Sequence, residues 1–495
     1  MPSAGYPFLF GIYGTKAARE TVSLLKKSGA CGVLLLARNI ETPEQTRALT
    51  EELVQRVGRP LIFSIDHECG WVLRFRSGVT PFPGNLAIGR AGDEKLAYAV
   101  GRQMALELRP MGIRLNLAPV VDVLTKTYNP GIGIRSFGAD PAVVGRLGAA
   151  MIRGMQDHGV AACAKHFPGK GAATVDAHVA MPTIKIAPKA FERDHLRPFA
   201  DAVNAGVACV MTSHVRYPAL DKEIATFSGK ITGKILRGKL GFNGVVIADD
   251  LCMGAVSGRM PIQQAAVQAF AAGHDLLILA HDRDAQAEAA ELMEQALADG
   301  LLEREAFEAS CRRIGSLVAP PSPKKGTASL AEGAALAREI ARRAVRTARA
   351  GAEPLPLSPS KTPLLVVLPD FQEVSERFTF EGGPRGPEAA LKRRLREWGP
   401  ARVVRAPVES DRINGLAREI EDADRVLFFC FEARRFPGQK KTLRLLARRA
   451  ARKTVLCLIR SPWDLELAPR AMTAVDPGGY RLNQLEAAID AVLAG

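Results

Sequence analysis

The stretch Lys165-His166-Phe167-Pro168-Gly169-Lys170-Gly171, followed by Asp176-Ala177-His178, gathers more reactive side chains than any other part of the chain. A short apolar run at 160–164 precedes it and reads as a strand. A basic pair stands where that strand should end, and a Pro/Gly-broken loop then carries an acid and a histidine two residues apart. Compact domains rarely keep a loop of about twenty residues without a use for it. Other ionisable groups stand in the same kind of place. Asp66-His67-Glu68, Asp122, Arg135, Ser213-His214 and Asp249-Asp250 each follow an apolar run. One acid at a strand end reads as a cap for the next helix. Five of eight strand ends so equipped read as a site, because charge there is costly unless paired or used. The set is rich in Asp, Arg, Lys and His, with no HExxH, no paired Cys and no histidines at metal spacing. Neither a metal site nor a cofactor is expected.

The elements that must position these residues are legible as alternation. Apolar, β-branched runs at 9–13, 32–37, 60–66, 114–118, 160–167, 209–214, 244–249 and 275–280 predict strands buried on both faces. Helical periodicity lies between them, as at 42–57, 94–109, 141–158 and 261–272. Eight strands alternating with helices over roughly 300 residues predict a (β/α)8 barrel, with catalytic groups at the carboxyl ends of the strands. A doubly wound sheet is the alternative, but no GxGxxG follows the first strand to support it. The expected division is a barrel domain at 1–318, a Pro-rich linker at 319–328 and a smaller αβα sandwich at 329–495. The second region is expected to open with a helix at 329–348. Strands at 363–368, 401–406, 425–431 and 454–460 follow.

Composition narrows the function classes. The 495 residues are 47% hydrophobic and 24% charged, as in ordinary globular proteins. The N-terminus lacks the pattern of a secretory signal, and no apolar run approaches the roughly 18 residues that span a bilayer. Eight cysteines stand singly, mostly inside expected strands, and fit reduced buried thiols. A cytoplasmic location without membrane partners is expected. The net charge of +15 invites a nucleic-acid reading, yet the basic residues are spread over many helices and aromatic content is only 6%. The basic run at 440–453 reads as the solvated face of an amphipathic helix, so no nucleic-acid partner is expected. Oligomeric state is not encoded in these patterns.

Six ordered blocks carry a more specific signal: Ser64-Ile65-Asp66-His67-Glu68; Asn116-Leu117-Ala118-Pro119-Val120-Val121-Asp122-Val123; Ile132-Gly133-Ile134-Arg135-Ser136-Phe137-Gly138; Lys165-His166-Phe167-Pro168-Gly169; Asp176-Ala177-His178; and Gly244-Val245-Val246-Ile247-Ala248-Asp249-Asp250-Leu251. In these blocks the first 320 or so residues resemble the family-3 glycoside hydrolases, in the branch of β-N-acetylhexosaminidases that recycle cell-wall sugars. The resemblance implies a retaining exo-β-glycosidase with a small carbohydrate substrate. It implies Asp249 as nucleophile, His178 as acid/base, and Asp176 as the acid that orients the imidazole. It further implies that Asp66, Arg135, Lys165 and His166 grip the sugar hydroxyls and that His214 walls the site.

The chain also departs from the family pattern. Where that pattern reads Gly-Gly-Arg, this chain has Cys69-Gly70-Trp71, and Trp71 offers an indole for stacking on a sugar in place of a guanidinium. The loop usually reads Gly-His-Gly-Asp-Thr, whereas here it is Gly169-Lys170-Gly171-Ala172-Ala173-Thr174. The reaction type stands under these changes. The sugar preferred, the choice between hydrolysis and phosphorolysis, and a non-catalytic sugar-binding role remain open at this point.

Overall fold

The computed structural model describes residues 6–125, 128–175, 181–318, 323–358, 360–377, 386–413 and 415–493. The chain forms two compact units, Met1–Glu68 with Gly92–Leu330, and Cys69–Ala91 with Ala331–Gly495.

The first unit is a closed parallel barrel of β1 (Tyr6–Gly11), β2 (Ala30–Leu35), β3 (Ile62–Ile65), β4 (Ile113–Asn116), β5 (Ala161–Phe167), β6 (Cys209–Thr212), β7 (Val245–Ala248) and β8 (Leu276–Leu279), with β8 paired back to β1. Every residue of β2, β3, β6, β7 and β8 is buried, which is why these strands read as unbroken apolar runs. Local chemistry starts the surrounding helices. Thr42, Asp93 and Asp140 each accept a backbone N–H from the first turn of the helix that follows, and Pro43 and Pro141 pre-set its first residue. Helices Glu94–Leu108 and Pro141–Asp157 approach at Gly101 and Gly154. A Cβ at either would lie 2.3 or 2.2 Å from a carbonyl oxygen of the other helix.

One end of the barrel is plugged. Helix Arg304–Val318 touches β1, β4 and β7, which are spaced around the ring, and sends Ile314 and Leu317 into the core cluster of the strands. Its anchor is Asp275, just before β8. Asp275 accepts from the backbone of Val246 (2.8 Å), from Arg237 (2.6 Å) and from Arg313 (2.8 Å). Asp275 precedes its strand, so the plug closes the amino end and leaves the carboxyl end for the loops.

The second unit is a six-stranded sheet in the order β11-β10-β12-β13-β14-β9, formed by β9 (Arg346–Arg349), β10 (Leu364–Pro369), β11 (Ala401–Ala406), β12 (Val426–Cys430), β13 (Thr454–Leu458) and β14 (Thr473–Asp476). All pairs are parallel except β14 with β9. The helix expected at 329–348 stops at Ala344. Its buried stripe of Gly333, Ala337, Ile340, Ala341 and Ala344 ends there, and the next residues pair with β14 as an edge strand. The segment Cys69–Ala91, expected within the barrel domain, packs with this second unit. Arg481 donates to the Gly70 carbonyl (2.7 Å), Asn483 to that of Pro81 (3.0 Å), and Arg90 pairs with Asp476 at 2.5 Å.

Replacing Asp275 with alanine leaves two guanidinium groups and a buried N–H without their acceptor. The expected loss is about 3–5 kcal/mol of unfolding free energy in urea titration. A loss below 1 kcal/mol would show that the plug is held by its apolar face alone.

Candidate active site

The turn after β3 is set by a side chain from the end of β4. Asn116 accepts the His67 N–H (3.0 Å) and donates to the His67 carbonyl (2.9 Å), a two-point clamp that fixes Asp66 and Glu68. Glu68 is 2% exposed and receives Arg135 through both Nε (2.8 Å) and Nη2 (2.7 Å), while Lys165 Nζ lies 2.6 Å from it. The same ammonium donates to Asp66 at 2.6 Å. Burial alone would raise the Glu68 carboxyl, but the Arg135 and Lys165 cations outweigh it and hold the group at about 2. Burial opposes the charge of Arg135 and Lys165 in turn, and their shared carboxylates raise both above their ordinary values.

Lys165 and His166 are consecutive, yet both are buried in the polar mouth. The β5–β6 register skips a residue between Lys165 and Phe167, the local irregularity that re-aims a strand's side chains. His166 Nδ1 lies 2.8 Å from Asp122 Oδ2, and its Nε2 lies 3.5 Å from Arg135 Nη2. An ionised Asp122 can only accept, so Nδ1 carries the proton in neutral His166 and Nε2 offers a lone pair. Asp122 also accepts the backbone N–H groups of His166 (3.3 Å) and Lys170 (2.6 Å). Burial pushes the Asp122 carboxyl up to about 6, against the pull of Lys170 and those backbone donors. Asn129 completes the loop, donating to the carbonyls of Lys170 (2.9 Å) and Gly171 (3.0 Å).

Asp249 follows β7 directly. Its Oδ1 accepts the Asp250 N–H (3.0 Å), and its Oδ2 stands 3.9 Å from Lys170 Nζ. Asp250 does different work. Its Oδ1 accepts from Ala280 (3.0 Å) and Cys252 (3.1 Å), tying the ends of β7 and β8 together, and burial raises its carboxyl. His214 supports the same turn, with Nε2 3.0 Å from the Asp250 carbonyl and Nδ1 2.6 Å from Thr226 Oγ1. Burial lowers its proton affinity. The neutral Nε2–H tautomer satisfies both contacts.

Asp66, Arg135, Lys165, His166, His214 and Asp249 thus share the carboxyl mouth of one barrel. Asp66, Asp250 and Asp249 keep 19%, 17% and 16% of their side-chain surface open, and Asp250 already spends Oδ1 on two backbone N–H groups, which leaves Asp66 and Asp249 as the carboxylates of the mouth most available to a ligand. His214 has both ring nitrogens engaged within the protein. Trp71 belongs to the second unit, where the Arg460 guanidinium lies 3.7 Å from its ring centroid and Tyr480 meets it edge-on. Asp176 and His178 lie outside the described residues. The family resemblance implies no role for Glu68 or Asn129. Glu68 carries the densest charge pairing of the mouth, and its one sequence signal was an acid two residues beyond Asp66 at a strand end.

Replacing Glu68 with glutamine is expected to lower stability by about 3–5 kcal/mol, since two buried cations lose their common partner. Its folded value lies below its ordinary 4.5, so its contribution is complete above 4.5 and is lost as pH falls toward about 2. The difference in unfolding free energy between wild type and E68Q should therefore be flat from pH 5 to 8, and a slope there would contradict the assignment.

Residues 6–317 match the family model described as Glycosyl hydrolase family 3 N terminal domain. A protein from Alkalilimnicola ehrlichii named beta-hexosaminidase is 38% identical over 285 residues, covering 56% of this chain and 82% of its own length. One of the same name from Chromobacterium violaceum is 39% identical over 273 residues, covering 54% of this chain and 75% of its own. The solved family-3 beta-N-acetylglucosaminidase from a Paenibacillus species superposes with a TM-score of 0.88 at 30% identity. That match spans 99% of this chain and 95% of the other. With the barrel matched along its whole length and its carboxyl mouth carrying the acid and base clusters described above, this chain belongs to glycosyl hydrolase family 3.

Proposed function

We propose that the protein is a retaining exo-β-N-acetylhexosaminidase that removes terminal N-acetylglucosamine from cell-wall fragments in the cytoplasm. The proposal rests above all on the Asp249 carboxylate. It is open on one side, oriented by its neighbour's N–H, and set in the mouth that holds the Asp66–Lys165–Glu68–Arg135 network. The names and extents of the relatives above support the same reading.

In this mechanism Asp249 attacks the anomeric carbon and forms a glycosyl ester, and water then hydrolyses it. Asp176 and His178 are proposed as the acid/base dyad on the strength of the sequence match. The imidazole protonates the leaving oxygen in the first step and deprotonates water in the second. Asp66 and Lys165 are proposed to bind sugar hydroxyls, the first as acceptor and the second as donor. Because both are already paired, little rearrangement is needed when the sugar arrives. Arg135 and His166 extend the same wall.

A nitrophenyl N-acetyl-β-glucosaminide should be cleaved in preference to the glucoside that lacks the 2-acetamido group. Asp249→Ala is expected to lower kcat by at least roughly 10³-fold. A mechanism-based fluorosugar should label the peptide containing Asp249, as read by mass spectrometry. Turnover that survives in D249A, or a label on another peptide, would overturn the assignment.

A further inference from the structure

We propose that Lys170 is a positioning residue for Asp249, holding an ammonium beside the nucleophile so that the glycosyl ester breaks down faster. This rests on the reading of Asp249 as the nucleophile. Lys170 is a point at which the loop differs from the pattern the resemblance implies.

The loop is built to hold that ammonium in place. The Lys170 N–H is tied to buried Asp122 at 2.6 Å and its carbonyl to buried Asn129 at 2.9 Å. The next residue, Gly171, is so close to Val123 that a Cβ would sit 1.6 Å from its carbonyl oxygen. With the backbone pinned on three sides, the side chain is 8% exposed and points Nζ at Asp249 Oδ2, 3.9 Å away. That separation is too long for a hydrogen bond and short enough for strong attraction in a partly desolvated site. Nearby, burial lowers the proton affinity of His214, and Asp250 spends its Oδ1 on the N–H groups of Ala280 and Cys252.

The effect differs in the two halves of the reaction. In the first, an Asp249 oxygen bonds to the anomeric carbon while the bond to the leaving oxygen breaks, and that oxygen takes the electron pair and a proton from the acid. The carboxylate loses its charge, so the ammonium opposes this half. In the second, a water oxygen bonds to the anomeric carbon, its proton passes to the base, and the bond to Asp249 breaks with its electron pair returning to the carboxylate. Charge then reappears 3.9 Å from Lys170, which favours this half. Lys170 therefore shifts the partition away from the covalent intermediate.

The test is pre-steady-state cleavage of a nitrophenyl N-acetyl-β-glucosaminide by wild type, K170M, K170Q and K170R, each checked by thermal melting. The two neutral variants should show a larger nitrophenol burst and a kcat lower by roughly tenfold, while kcat/KM, which reports the first half, holds or rises. K170R should restore the wild-type partition. A parallel fall of kcat and kcat/KM without a larger burst, in folded K170M and K170Q alike, would overturn the role of Lys170. If a fluorosugar fails to label Asp249 even in wild type, the nucleophile reading fails and this proposal fails with it. Labelling of wild type with an unchanged burst in the variants removes Lys170 alone.

Discussion

A buried carboxylate shared by two cations fixes the mouth of the barrel. Glu68 compensates Arg135 and Lys165 together, and Lys165 divides its charge between Glu68 and Asp66. Arg135 arrives on the loop after β4, Lys165 at the end of β5, and Glu68 from the turn after β3. Three separate connections are thereby held to one geometry by charge. Asp66 joins the network through Lys165 and stays partly open, so the cluster carries its own balance and still presents an acceptor to a ligand.

Burial does not by itself decide what an acid does here. Glu68 and Asp122 are both fully enclosed, yet one is held at about 2 and the other is pushed up to about 6. Glu68 faces two full positive charges at hydrogen-bond distance. At Asp122 the Lys170 charge, backbone N–H donors and the Arg135 charge repay only part of the desolvation. Asp250 falls in the second class, holding backbone donors from two connections. The acids of the mouth thus divide into one that anchors cations, two that shape loops, and two, Asp66 and Asp249, with room for a ligand.

The strands were legible because burial on both faces leaves continuous apolar runs, and the site was legible because charge interrupts those runs at their ends. The division of labour within Asp66-His67-Glu68 was not. Which of two acids turns inward depends on the Asn116 clamp, a contact across 49 residues. Trp71 illustrates the same limit. An indole beside a sugar motif suggests stacking on a pyranose, but the sequence could not show that the Arg460 guanidinium occupies a position over the ring. The edge strand Arg346–Arg349 was missed because its pairing partner, Thr473–Asp476, is distant and too short to announce itself. Net charge misled in a related way. Residues 69–91 and 331–495 hold 32 of the 67 Lys and Arg but only 21 of the 52 Asp and Glu, so +11 of the +15 lies in the second unit. The surplus is a property of that unit's helices and says little about the barrel mouth.

The two ends of the barrel answer to different demands. At the amino end, Asp275 and helix Arg304–Val318 join a charge cluster to an apolar plug, and no atom there need meet a ligand. At the carboxyl end, Lys170 stands in a connection that the strands position but do not depend on. The Lys170 side chain sets the charge beside Asp249 without taking part in any strand pairing, since the loop is pinned through Asp122 and Asn129 by its backbone. Backbone anchoring of a loop whose side chain faces the chemistry lets a site change its electrostatics at a single position, and in this molecule that position is 170.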